Sequence, residues 1–147
     1  MHTTYATQYK MNGAEYNNCG WKNCLVRTYN AFPKLKQVMP AEVVAALKAV
    51  TKKTTAGGAS SAIDTTEDTL FLLSEIEVQG TRTHSYAGEG MQYTYYQTAA
   101  NRKKNRAWYL RSPRTNSTTC FCRTGWSGEA DWSVASEVDG IAAAWCF

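Results

Sequence analysis

The sequence predicts an α+β domain, with two helices in its N-terminal half and a β-rich C-terminal half. Apolar residues recur at helical spacing between Trp21 and Val50, and short runs of strand-forming residues separated by turn signals follow Trp108. A chain of 147 residues, 44% hydrophobic and 19% charged, is the size and composition of one compact domain with its own core.

Residues 1–18 are polar and aperiodic, so residues 1–15 read as a flexible lead and 16–147 as a single domain. Trp21, Leu25, Tyr29 and Phe32 fall on one helix face, and Pro33 is expected to end that helix. A second helix is expected from Pro40, a residue suited to the first helical position, with Val43, Val44, Leu47 and Val50 as its apolar stripe. Thr54 to Thr66, rich in Thr, Gly, Ala and Ser, reads as a loop. Leu70 to Leu73 reads as a short buried strand. Ser74 and Glu77 form a capping-box pair for a short helix that Gly80 closes.

Residues 81–106 are loop-rich, with Tyr93, Tyr95 and Tyr96 providing large rings with polar tips. Trp108-Tyr109-Leu110 reads as a strand and Thr119–Thr124 as a second. Gly125-Trp126-Ser127-Gly128 is a turn, and Ala130–Ala135 returns from it. Ile141–Phe147, apolar on both faces, is expected to be a central strand.

The net charge of +4 is unevenly spread. Basic residues gather at 34–53 and 102–114, while beyond Cys120 acidic residues face Arg123 alone. A nucleic-acid binder usually presents one continuous basic face, so Arg102-Lys103-Lys104-Asn105-Arg106 reads as a solvated loop, and no nucleic-acid partner is expected. No apolar run is long enough to span a bilayer and the start has no signal-peptide core, so neither membrane insertion nor an export address is expected.

The five cysteines read as small, reduced, buried residues, since the histidines, His2 and His84, lie beside neither Cys19/Cys24 nor Cys120/Cys122. No nucleophile elbow, phosphate loop, dinucleotide fingerprint or metal motif occurs, so no catalytic residue, cofactor or metal is expected and the chain does not read as an enzyme. Residues 114–139 do carry a recognition-like mixture: Trp126 and Trp132 among Ser, Asn, Gly and Arg. Rigid aromatics give contact area at low entropic cost, and short polar residues adapt their hydrogen bonds. Either tryptophan could instead be core; Trp126, inside the Gly125–Gly128 turn, is expected to be exposed.

Four motifs in order give the chain a family resemblance: Trp21-Lys22-Asn23-Cys24-Leu25-Val26-Arg27, Phe71-Leu72-Leu73-Ser74-Glu75-Ile76-Glu77-Val78, Trp108-Tyr109-Leu110-Arg111-Ser112-Pro113 and Gly140–Phe147. Together with Gly88-Glu89-Gly90-Met91-Gln92-Tyr93, they resemble a domain of unknown function found in gut bacteria and their phages. Cys24, Tyr109 and Trp145 stand where that family usually has Ser, Trp and Phe.

The resemblance implies a C-type-lectin-like fold, often ending a phage tail or virion protein or displayed on a cell surface. It is similar to the variable proteins of diversity-generating retroelements, whose C-terminal binding faces are rewritten. It implies a host-surface protein or glycan as partner, for a receptor-binding or attachment role. It also implies a scaffold of Trp21, Arg27, Leu72, Glu77, Trp108, Leu110, Arg111, Cys122 and Cys146, with Glu77 paired to either Arg27 or Arg111. The ligand-binding positions expected between scaffold residues are Tyr109, Asn116, Thr118, Cys120, Arg123, Gly125, Trp126, Trp132, Ser136, Glu137, Val138, Asp139 and Ala142. The alternatives are a structural virion subunit, as a homo-oligomer or against another virion protein, and a copper-dependent enzyme of the formylglycine-generating type using Cys120 and Cys122.

Overall fold

In the computed structural model, which describes residues 9–147, the six strands found among them form two sheets. Strands β1 (Val50–Gly57) and β2 (Ser60–Asp68) make an antiparallel hairpin. Strands β3 (Trp108–Pro113), β4 (Cys120–Thr124), β5 (Ala130–Val134) and β6 (Gly140–Ile141) make a second sheet in the order β5-β4-β3-β6. Short helices α1 (Phe32–Val38), α2 (Ala41–Ala46), α3 (Glu75–Gln79) and α4 (Thr94–Gln97) lie between and before them. The α+β class expected from the sequence is present. None of the described helices is long and apolar enough to cross a membrane.

The N-terminal helices differ from expectation. Trp21 and Phe32 are buried and meet edge to face at 5.8 Å, but Tyr29 points to solvent and the backbone between is a π-helical turn, Val26–Asn30. Thr28 Oγ1 donates to Cys24 O, the side-chain-to-backbone competition that disturbs regular helices. Pro33 does not end this segment. It lies in the first turn of α1, where its missing N–H costs nothing. The second apolar stripe is likewise broken: α2 stops at Ala46, Leu47 is already extended and Val50 opens β1. Lys48 N donates to Cys146 O at 2.9 Å, so pairing with the C-terminal segment overrides helical propensity there.

The largest correction is Thr54–Thr66, which is not a loop but the body of the β1–β2 hairpin. Thr is β-branched and suits a pleated surface. Thr55 faces Ile63 and Gly57 faces Ser60, leaving Gly58 and Ala59 as the two-residue turn with φ of +63° and +61°. Such a turn needs left-handed backbone at both positions, which is why glycine stands first in it.

The segment 70–73 is buried as expected, and Phe71 pairs with Ala144 in a single bridge. The capping box of α3 is complete: Ser74 accepts from Glu77 N, Glu77 accepts from Ser74 N, and Gly80 closes the helix at φ +74°. The three expected strands at 108–135 appear as β3, β4 and β5. The C-terminal segment is not a central strand. Only Gly140 and Ile141 pair, parallel to β3 at the sheet edge, and the chain then leaves through bridges at Ala144 and Cys146. Its unbroken apolar pattern reflects burial of Ile141 to Ala144 in the core.

Of the expected flexible lead, residues 1–8 lie outside the described residues. Tyr9 to Asn12 are part of the domain: Tyr9 exchanges backbone hydrogen bonds with Asp139, Asn12 N donates to Ala135 O, and Met11 is fully buried.

Candidate functional site

Beneath the surface, a polar network ties the hairpin to the larger sheet. Arg111 on β3 is buried and forks onto Glu77, with Nη1 to Oε2 and, at 3.1 Å, Nη2 to Oε1. This settles the open pairing: Arg111 takes Glu77, and Arg27 takes Asp68 at 2.7 Å. Arg111 also donates to Thr54 Oγ1, Leu72 O and Glu89 O, and so joins β1, the 70–73 segment and the 88–90 loop to β3. Lys52 reaches Glu77 Oε1 at 3.1 Å and Tyr93 Oη at 3.0 Å, and lies 4.0 Å over the Phe71 ring. Burial works to raise the pKa of Glu77, yet Arg111, Lys52 and the Ser74 amide outweigh it and the value is lowered.

Other buried carboxylates are saturated from within. Glu75 accepts from the amides of His84 and Ser85 and from Ser85 Oγ. Glu89 accepts from Thr55 N at 2.9 Å, Thr55 Oγ1 at 2.8 Å and Ser112 Oγ. Asn17, fully buried, accepts from Gly58 N and donates to the carbonyls of Ser117 and Cys120, binding the hairpin turn to the β3–β4 loop. Hydrogen-bonded groups of this kind hold a fold in one arrangement.

Burial raises the pKa of Glu89 despite its donors and nearby Arg111. A carboxyl whose folded-state pKa is raised contributes stability below its unfolded value, about 4.3, and that contribution is lost as pH rises through the folded value. Glu77, shifted the other way, contributes above its unfolded value and loses that contribution as pH falls. The Glu89→Gln variant, which cannot ionise, is therefore expected to gain in melting temperature relative to the parent as pH rises from 4 to 7. Melts of both proteins across that range check it; a constant difference contradicts it.

The expected ligand-binding positions divide by burial. Tyr109 is 0% exposed and its hydroxyl donates to the carbonyls of Val134, at 2.6 Å, and Glu137. Cys120, Gly125, Asp139 and Ala142 are also buried, so like Tyr109 they offer little surface to a ligand in this arrangement. The exposed thiol is Cys146, expected as scaffold, not Cys120. Arg123 is half-buried and clamped between Asp131 at 2.7 Å and Asp139 at 3.0 Å. It orients β5 and the β5–β6 loop, and its donors face inward. Asn116, Thr118, Trp126, Trp132, Glu137 and Val138 are exposed, and Ser136 is half-buried.

Five of these accessible positions form two groups, while Ser136 and Glu137 lie between β5 and β6 in neither. Thr124 pairs with Ala130 and with Trp108, which puts the β4–β5 turn and the start of β3 at one end. Phe121 pairs with Pro113, which puts the β3–β4 loop at the other, about 10 Å away along β4 at ~3.3 Å per residue. The first end carries Trp126, 62% exposed, and Val138, 42% exposed, lining a shallow cleft with Arg106 and Gly140. The second carries Asn116 and Thr118. There Tyr86 Oη donates to the hairpin-turn carbonyl of Ala59 and accepts from Asn116 N. Trp132, opposite Cys122 midway along β5, joins this group through Arg114. Arg106 and Arg114 are absent from the expected positions, and no local sequence signal marks them, because each meets its tryptophan only through the fold.

All five cysteines are unpaired. Cys120 and Cys122, two residues apart on β4, share a side of the strand by its alternation. Burial, with Glu75 and Glu89 nearby, holds the Cys122 thiol well above its usual pKa, and burial pushes Cys24 up to about 12. Among the described residues no group of three or more His, Cys, Asp or Glu is placed to hold a metal ion.

Fold and site together define an α+β domain in which a threonine-rich hairpin is locked by buried ion pairs to a four-stranded sheet with aromatic, polar loops. The chain belongs to the family described as a domain of unknown function, DUF6273, whose family model matches residues 1–146. No curated protein and no solved structure matches it.

Proposed function

We propose that this domain is a non-catalytic ligand-binding module, a receptor-binding or attachment domain carried on a phage tail or displayed on a cell surface. Its partner is a host-surface protein or glycan. We take the fold to be C-type-lectin-like, as the motif resemblance implies. We also take the loop positions to be the diversified ones.

The observation that carries this reading is Trp126. A large indole stands out at 62% exposure from a four-residue turn, with Val138 beside it, on a scaffold whose buried charges are engaged internally. The turn itself is rigid: Gly125 N donates to Glu129 O, Gly128 N donates to Gly125 O, and the Glu129 carboxylate accepts from Ser127 N. A turn closed by hydrogen bonds presents its aromatic ring to solvent with little backbone left to order. The saturated partners of Glu75, Glu77 and Glu89 support a structural role for those carboxylates.

Labelled domain applied to a panel of intact bacterial strains is expected to bind selectively. The pair Trp126→Ala and Val138→Ser is expected to weaken that binding about thirty-fold, the ~2 kcal/mol typical of an aromatic anchor. Cooperative melting of the variant separates lost binding from lost folding. Undiminished binding by the variant would remove Trp126 from the interface. Absence of binding to every strain, with a closed oligomer in solution, would place this surface against another copy.

A further inference from the structure

Arg114 stands apart from the other arginines that the fold engages. Arg27 is bound to Asp68, Arg111 to Glu77, and Arg123 to Asp131 and Asp139, while Arg102 donates to Tyr96 O and Gln79 Oε1. Among the described residues the Arg114 side chain has no ion pair and no hydrogen bond. Its guanidinium carbon lies 4.1 Å from the centre of the Trp132 ring. Trp132 itself is 39% exposed.

Both residues are held by the backbone. Arg114 N donates to Cys120 O at 2.9 Å, Thr115 N donates to His84 O at 2.7 Å, and Trp132 pairs with Cys122 in the β4–β5 ladder. Glu75 and Glu89, whose charges with that of Arg114 act on the Cys122 thiol, are both engaged elsewhere. Glu75 is held by His84 and Ser85, and Glu89 by Thr55 and Ser112. A guanidinium lying against an indole keeps its face desolvated while its in-plane N–H groups stay free, in a fork that matches a carboxylate. The exposed Asn116 amide and Thr118 hydroxyl belong to the same loop and suit sugar hydroxyls.

We propose that Arg114, stacked on Trp132, is a binding site for the carboxylate of an acidic sugar. The site, built on Trp132 midway along β5 and on Arg114 just after β3, stands independently of the face built on Trp126.

Sodium glucuronate titrated into the isotopically labelled chain tests it by nuclear magnetic resonance. The Arg114 Nε–H and Trp132 Nε1–H resonances are expected to shift saturably, while glucose at the same concentration leaves them in place. Arg114→Gln is expected to weaken the interaction about tenfold or more, and Arg114→Lys, which keeps the charge and loses the fork, nearly as much. Both substitutions are at a half-exposed side chain, and unchanged melting confirms that the fold survives them. No saturable shift overturns the proposal. So do equal shifts with sodium acetate or inorganic phosphate, or full affinity in Arg114→Lys.

Discussion

Replacement of Arg111 by Met is expected to cost about 3–5 kcal/mol, the range for removing one partner of a buried ion pair. The side chain is 1% exposed and serves Glu77, Glu89 O, Leu72 O and Thr54 Oγ1 at once. Without it, Glu77 keeps Lys52 and the Ser74 amide but loses the fork that holds its pKa down. Carbonyls of the 70–73 segment and the 88–90 loop lose a donor at the same time. For a domain whose whole stability is of order 5–15 kcal/mol, this is a large fraction. Arg111→Lys recovers little, because an ammonium cannot reproduce a bidentate fork while also reaching two carbonyls. Urea denaturation of Arg111→Met, Glu77→Gln and the double variant measures the coupling. The double variant is expected to lose less than the sum of the singles, since each single leaves a charge without its partner. Additive losses, or a cost under about 1 kcal/mol for Arg111→Met, would show that the network is not a shared clamp.

The parts of this architecture that were legible are those encoded by local chemistry. The capping box at Ser74 and Glu77 works through neighbouring backbone, and a Ser-x-x-Glu pattern reveals it. Strands β3, β4 and β5 are separated by turn residues whose conformational needs are also local. The hairpin was missed because its residues are small and polar, so no alternation of apolar and polar marked it. The signal that existed was Gly57-Gly58 between two threonine-rich runs. The short α2 was overextended for a different reason. Val43, Val44, Leu47 and Val50 fit a helical period, but the pairing of Lys48 with Cys146, 98 positions along the chain by numbering, ends the helix. A contact that distant leaves no periodic trace.

The exposure of the candidate positions was legible in part for the same reason. Trp126 and Val138 flank turns and are exposed, as turn chemistry suggests. Arg123 and Asp139 are expected as display residues because they lie between the scaffold residues the resemblance implies, yet they bind each other across the sheet. Arg111 and Glu77 were recognised as a possible pair through the motif resemblance, but only the three-dimensional arrangement selects Arg111 over Arg27.

Tyr109→Ala is expected to destabilise the domain by about 3–5 kcal/mol, as aromatic truncations in cores do. A display position would instead tolerate it within about half a kcal/mol. The residue separates the two possibilities because motif comparison places it among replaceable positions, whereas in the structure its ring is fully buried in the core. Its hydroxyl donates to Val134 O and Glu137 O, so it anchors the exit of β5 to the middle of the sheet. Burial, the dominant cause, raises the phenol's pKa, which keeps it a donor throughout the ordinary pH range. Tyr109→Phe keeps the ring and removes only the hydroxyl, leaving the two carbonyls without that donor at a cost of about 1–3 kcal/mol. Thr118→Ser and Glu137→Ser, at exposed positions, are expected to stay within about half a kcal/mol of the parent. Urea midpoints for these four variants decide it. The ordering of Tyr109→Ala, then Tyr109→Phe, then the two surface changes follows from the packing. Near-parental stability of Tyr109→Ala would return Tyr109 to the display surface and require the β5–β6 loop to be held by other contacts, of which the Arg123 clamp on Asp139 is the nearest at hand.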